Sequence, residues 1–141
     1  MQFLSLEQAN IIISSALAKG SELGLKPLCV VVLDSGGALL AMQRQDGAST
    51  LRPQIAIGKA AGALSLGVSS RQIAEMAAER PTFVASLSSL SAQGIVPAAG
   101  GVIIAGASGP LGAVGVTGDT SDNDELCALA GVSAAGLSAA P

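Results

Sequence analysis

Apolar positions along the chain recur first at helical spacing and then in short strand-like runs, and this alternation repeats. After a Ser5-x-x-Gln8 capping pattern, Ala9, Ile13, Ala16, Gly20 and Leu23 recur every three to four residues, predicting an amphipathic helix that ends near Gly24. Two apolar runs, 28–33 and 38–43, then flank Asp34-Ser35-Gly36-Gly37. Glycine supplies the positive φ of a tight reversal there, so the runs are expected to pair as an antiparallel hairpin. In "STLRPQIAIGKAAGALSLG", Ile55, Gly58, Gly62 and Leu66 lie at helical spacing among small residues. This predicts a helix pressed closely against something flat and closed by Gly67. Ser69-x-x-Gln72 opens a short helix over 70–79, and Pro81 stops it and starts further turns through Leu90.

Glycine dominates the next stretch of chain. Strands are expected over 102–105 and 111–117, on either side of "GASGP", with glycines on one face where a helix or a ligand approaches. Thr120 or Ser121 is placed to cap a last helix, with Asp122, Asp124 and Glu125 in its first turn. Negative charge there meets the helix dipole favourably by roughly 0.3–1 kcal/mol each. Leu126, Leu129, Ala130, Ala134 and Leu137 are its expected buried face. Hairpins joined by helical segments imply an α+β fold, one domain over residues 1–141, with helices packed on an antiparallel sheet.

Composition sharpens this picture. The 141 residues are half apolar, but Trp and Tyr are absent and Phe occurs twice, so Ala, Val, Ile, Leu and Gly must fill the core. Small side chains supply little area each, and self-association is expected to compensate. The apolar runs fall far short of the about 20 residues that span a bilayer, and "MQFLSLEQAN" lacks a basic leader region, so a soluble, cytoplasmic protein without a membrane partner is expected. Cys29 and Cys127 sit in apolar contexts and read as buried small hydrophobes. With no histidine in the chain, Ser-His-Asp and Cys-His catalysis and His-ligated zinc or haem iron are excluded. The seven basic residues all precede residue 81, too sparse for a nucleic-acid surface.

Several motifs fail on their own chemistry. The glycine string runs into a strand and carries no lysine, unlike a phosphate loop, and no G-x-G-x-x-G opens a helix. A calcium loop starting at Asp119 would need Gly where Asp124 stands and Glu where Ala130 stands. Asp119, Asp122 and Asp124 read either as helix-capping acids or as a loose surface cation site, and no metal is assigned. Arg52 and Lys59 lie two helical turns apart and share a face. They are either two snorkelling surface cations or an anion clamp, Arg52 offering a bidentate fork to a carboxylate and Lys59 a point charge.

At "RPQIAIGKAAGALSLG", "PAAGGVIIAG" and "LGAVGVTGDTSDNDE" the chain resembles the GlcG/HbpS-like family, which includes the C-terminal domain of PduO-type proteins. The resemblance runs from the first helix to the last. An A-x-x-K-A core is matched at Ala56–Ala60, a Gly-Gly strand at Gly100–Ile103, and a G-V-S-G turn with a later acidic pair at Gly115–Gly118 and Asp124-Glu125. Val102-Ile103 replaces the usual proline, and Thr117 the usual serine. The resemblance implies a profilin-like fold, a central antiparallel sheet of about five strands flanked by helices, in a homo-oligomer. It also implies haem or its breakdown as the ligand chemistry, or an association with small-acid catabolism. With no His or Tyr, iron would be left with Met, Cys, Lys or the Thr117 hydroxyl.

Two functions stand at this point. The first is a small-ligand-binding protein, with an anionic molecule, haem or a related tetrapyrrole among the candidates, held at a subunit boundary by Arg52, Lys59, Gly100, Gly101, Thr117, Gly118 and Asp119. The alternative is a small catabolic enzyme, an isomerase, hydratase or hydrolase of an unsaturated or hydroxy carboxylic acid. Arg52 would hold its carboxylate, with Lys59 and Glu125, or Asp119, as the acid–base groups. A subunit without chemistry of its own fits the exposed small-residue faces equally.

Overall fold

The computed structural model describes residues 2–141. Helix α1 (Leu6–Glu22) leads to strands β1 (Cys29–Asp34) and β2 (Leu39–Arg44), then to helices α2 (Arg52–Leu66), α3 (Ser70–Glu79) and α4 (Pro81–Leu87). A 3-10 turn, Ser88–Leu90, precedes β3 (Gly101–Ile104), β4 (Gly112–Thr117) and helix α5 (Ser121–Ala134). The fold is α+β, and its sheet is antiparallel throughout in the order β2-β1-β4-β3. Among the described residues the sheet has four strands, in keeping with the expectation of about five. Beyond β3 the chain supplies only a bridge between Ile104 and Ala139, flanked by Ala105 N donating to Ser138 O and Ala140 N to Ile103 O, both at 2.8 Å.

The predicted stops and starts have physical counterparts. Ser5 and Gln8 cap α1 reciprocally, and Ser69 and Thr120 accept from Gln72 N and Asn123 N at the starts of α3 and α5. Gly67 ends α2 in the left-handed region at φ 73°. Each such cap satisfies amide groups that the helix itself leaves without partners.

Helices cover both sheet faces. On one, α1 and α5 bury Ile12, Ile13, Cys127 and Val132 against Val30, Val32, Val114 and Val116. On the other, α2 lays Ala56, Ala60 and Ala61 on Cys29, Val31, Leu33 and Ala113. Covered from both sides, β1 and β4 are apolar almost residue by residue, where a half-exposed strand would alternate. The glycine face of β3 and β4 is where α2 comes close. A Cβ on Gly115 would stand 2.1 Å from Ala56 O, and one on Gly101 2.3 Å from Lys59 O.

One expected helix face is corrected. In α5 the buried residues are Asp124, Cys127, Ala128, Gly131 and Val132, whereas Leu126 and Leu129 are 49% and 39% exposed. Gly131 sets this phase, because its backbone packs so tightly on α1 that a Cβ would lie 2.5 Å from Ile12 O. Leu137 packs on the core from beyond the helix end. In α1 the expected Ala9, Ile13, Ala16 and Gly20 are buried, joined by Ile12, and Leu23, the C-cap, is exposed.

Candidate functional site

The C-terminal end of β4 is where α2, α5 and the segment before β1 converge, polar side chains of the two helices meeting there with the Lys26 backbone N–H. α2 opens at Arg52, held in its first turn by Pro53, so the Arg52 side chain lies over the strand end. Its Nη1 donates to Thr117 Oγ1 at 2.9 Å. Thr117 is buried and Arg52 half-buried. Among the described residues no acid lies within ion-pairing distance of Arg52.

Two turns along α2, Lys59 points at the same strand but is sealed inside. Its Nζ donates to Val116 O and to Asp124 Oδ2, each at 3.0 Å, and the two charged side chains are 3% and 2% exposed. Burial lowers the Lys59 pKa, opposed by the charge and hydrogen bond of Asp124 and assisted by the Arg52 charge nearby. Lys59 is therefore no snorkelling surface cation. Asp124, expected as a helix-capping acid or as part of a loose surface cation site, is its counter-charge, and its Oδ1 also accepts from Asp119 N at 3.0 Å.

Asp119 fixes the turn between β4 and α5. Its Oδ1 accepts from Lys26 N at 3.0 Å, and its Oδ2 from Thr120 N and Asn123 Nδ2 at 2.8 Å each. Those hydrogen bonds, Asn123 foremost, hold its pKa down at about 2. Gly118 has φ 143° and packs where a Cβ would lie 2.2 Å from Pro27 O. Gly100 and Gly101 are buried behind this layer, a Cβ on Gly100 falling 2.9 Å from Lys59 Nζ. Both serve the approach of Lys59 and its helix.

Glu125 belongs to a different network. It accepts from Arg71 Nε at 3.0 and 3.1 Å, and Asp122 pairs with the same guanidinium, joining α3 to α5. Asp119, Asp122 and Asp124 thus each serve separate partners. No group of three His, Cys, Asp or Glu among the described residues is arranged to hold a metal ion.

Arg44 is the site residue that sequence reasoning missed. In the sheet register Arg44 pairs with Cys29, and Cys29 with Thr117, so the three form one row across β2, β1 and β4. Their side chains share the α2 face, since Cys29 packs under that helix. α2 leaves β2 uncovered, and its residues on this face, Leu39, Met42 and Arg44, are exposed. Arg44 Nη1 donates to Ala48 O at 2.7 Å, and the Arg44 guanidinium meets no acid among the described residues within ion-pairing distance. Leu51, beside Arg52 in the chain, is 61% exposed. Arg44 itself lines a cleft of about 490 Å³, together with Gly20, Pro27 and Asp46. The period-2 phase shared by Met42 and Arg44, and the stripe Asp124, Cys127, Ala128, Gly131 at helical spacing, are the sequence signals that carried this information.

Comparison with known proteins adds a family. A model of the family described as haem degrading protein HbpS-like matches residues 4–133. Among solved structures, a double mutant of Streptomyces reticuli HbpS is 29% identical over 94% of this chain and 87% of its own, with a TM-score of 0.82. The Klebsiella pneumoniae protein ORFY is 28% identical over 96% and 92% of the two chains, with a TM-score of 0.85. A PduOC:haem complex, 18% identical over 99% and 100%, shares the fold with a TM-score of 0.88. No match was found among curated proteins.

Proposed function

The chain belongs to the HbpS-like family, and from that premise we propose that it binds a small ligand of the haem type, with an acidic group of the ligand seated on Arg52. One observation carries the reading. Arg52 presents a guanidinium that no acid among the described residues neutralises, fixed on the buried Thr117 hydroxyl at 2.9 Å and backed by the sealed Lys59–Asp124 pair. A guanidinium anchored on one edge keeps its other N–H groups for a carboxylate. The family description and the haem complex of the PduOC neighbour support the choice of a tetrapyrrole over other acids.

The residues around Arg52 suit such a ligand. A tetrapyrrole needs an apolar wall and an axial donor. Leu39, Met42 and Leu51 supply exposed apolar surface, and the Met42 thioether, 40% exposed on the same face as Arg44, is a haem-iron donor type. Cys29 is unsuited, since burial pushes its thiol up to about 11 and keeps it protonated. Lys59 is engaged with Asp124, and the Thr117 hydroxyl with Arg52. When bound, haem would supply a redox-active iron, and this chain would hold its acid groups and exclude water from one face.

The proposed site lies on exposed apolar surface, which fits a boundary between copies of the chain. Native mass spectrometry is expected to show a homo-oligomer, and a monomer at micromolar concentration would remove the boundary from the proposal. In the enzyme alternative Arg52 would hold the same carboxylate, but Lys59 and Glu125 are both charge-paired, which favours binding over acid–base turnover. Haemin titrated into the protein is expected to give a shifted, saturable Soret band at micromolar concentration. A spectrum equal to free haemin would overturn the proposal.

A further inference from the structure

Of the seven basic residues, Lys19, Lys59 and Arg71 form ion pairs, and Arg80 lies over the Phe83 ring at 4.0 Å. The other three, Lys26, Arg44 and Arg52, gather at one end of the sheet. Lys26 lies three residues before β1, and its N–H donates to Asp119 two residues after Thr117. Arg44 and Arg52 stand at the two ends of the Arg44–Cys29–Thr117 row. In a chain of net charge −3, with ten acids to draw on, two arginines at the ends of one row that meet no carboxylate among the described residues call for one from outside.

Their spacing says how many. Adjacent strands lie about 4.8 Å apart, so the backbones of Arg44 and Thr117, two strands away, are separated by about 10 Å. Each guanidinium is tethered by one hydrogen bond, Arg44 to Ala48 O and Arg52 to Thr117 Oγ1, so neither needs much ordering on binding. Arg44 pairs with Cys29 in the strand register, which places its backbone in the row. A single carboxylate satisfies one fork and leaves the other.

Resting on the reading of Arg52 as a ligand anchor, we infer that the ligand is a dicarboxylate, one carboxylate held by Arg52 and the second by Arg44, across the exposed edge of the sheet. Two sources share that chemistry: a tetrapyrrole bearing two propionates, and a small aliphatic diacid.

The test compares haemin, haemin dimethyl ester and succinate on the wild type, Arg44→Met and Arg52→Met. Binding is followed by the Soret band for the haems and by thermal stabilisation for succinate. The inference expects haemin to bind the wild type at least tenfold more tightly than its ester. Each single variant should weaken haemin by about tenfold and leave the ester unchanged. If haemin binds but the ester or Arg44→Met protein matches it, the second carboxylate is overturned while haem binding stands. If no haem binds, the proposed function fails alone, provided succinate stabilises the wild type and neither variant. If succinate too gives no difference between the three proteins, the dicarboxylate inference is overturned. Melting temperatures of the free variants within a few degrees of wild type separate these effects from misfolding.

Discussion

Lys59 Nζ lies 3.0 Å from Asp124 Oδ2 although the two residues are 65 positions apart, and both are shut off from solvent. The contact joins α2 to α5 across the end of β4, with Val116 O as a third member. Removing either partner strands a buried charge, which costs about 3–5 kcal/mol, while removing both charges together costs far less. Lys59→Met and Asp124→Leu are each expected to lower unfolding free energy by that amount in guanidinium melts. The double variant Lys59→Met/Asp124→Asn, which keeps an acceptor for Asp119 N, is expected to recover most of it.

Asp119 responds to acid. Its pKa is lowered from 3.8 to about 2 in the folded protein, so folding favours the ionised carboxylate. The stability it contributes is complete above the unfolded value and is lost as pH falls from 3.8 towards 2. Thermal melts between pH 5 and 2 should show a smaller decline for Asp119→Asn than for the wild type.

The close seat of α2 on the sheet depends on missing side chains. A Cβ at Gly115 would meet Ala56 O at 2.1 Å, backbone that has no rotamer to move aside. Gly115→Ala is expected to destabilise by about 1–3 kcal/mol or more. Gly36→Ala, whose added Cβ would meet only Asp34 Oδ1 at 3.5 Å, should stay within about 0.5 kcal/mol. Equal losses in a urea melt would remove the close approach as the cause.

Much of this architecture was legible because it is local. The capping pattern at Ser5, the turn at Gly36-Gly37, the left-handed stop at Gly67 and the Thr120 cap are each written within four or five residues, and each sits where the pattern put it. The failures are matters of partnership across the fold. Leu126 and Leu129 look like a core face until Gly131 docks on Ile12 and turns them outward. Lys59 reads as a surface cation or as half of an anion clamp until Asp124, on another helix, is brought to it. Of the candidate site, Arg52 and Thr117 meet as two members of one group, whereas Arg44 owes its place to strand register, which spacing along the chain does not display.

The two cysteines have no exposed chemistry. Burial raises both thiols to about 11, leaving about one part in a thousand as thiolate at pH 8. A thiol reagent at pH 8 should label neither Cys29 nor Cys127 in the native protein within minutes and both in guanidinium. Rapid native labelling of Cys29 would mean that the end of the sheet opens readily.

The central claim is that an acid group of the ligand sits on Arg52. A structure of the protein loaded with haemin tests it most directly. A propionate is expected on the Arg52 guanidinium, with the macrocycle lying against Met42 or Leu51 and the Lys59–Asp124 pair intact behind it. Haemin bound elsewhere, with Arg52 touching only Thr117, would contradict it.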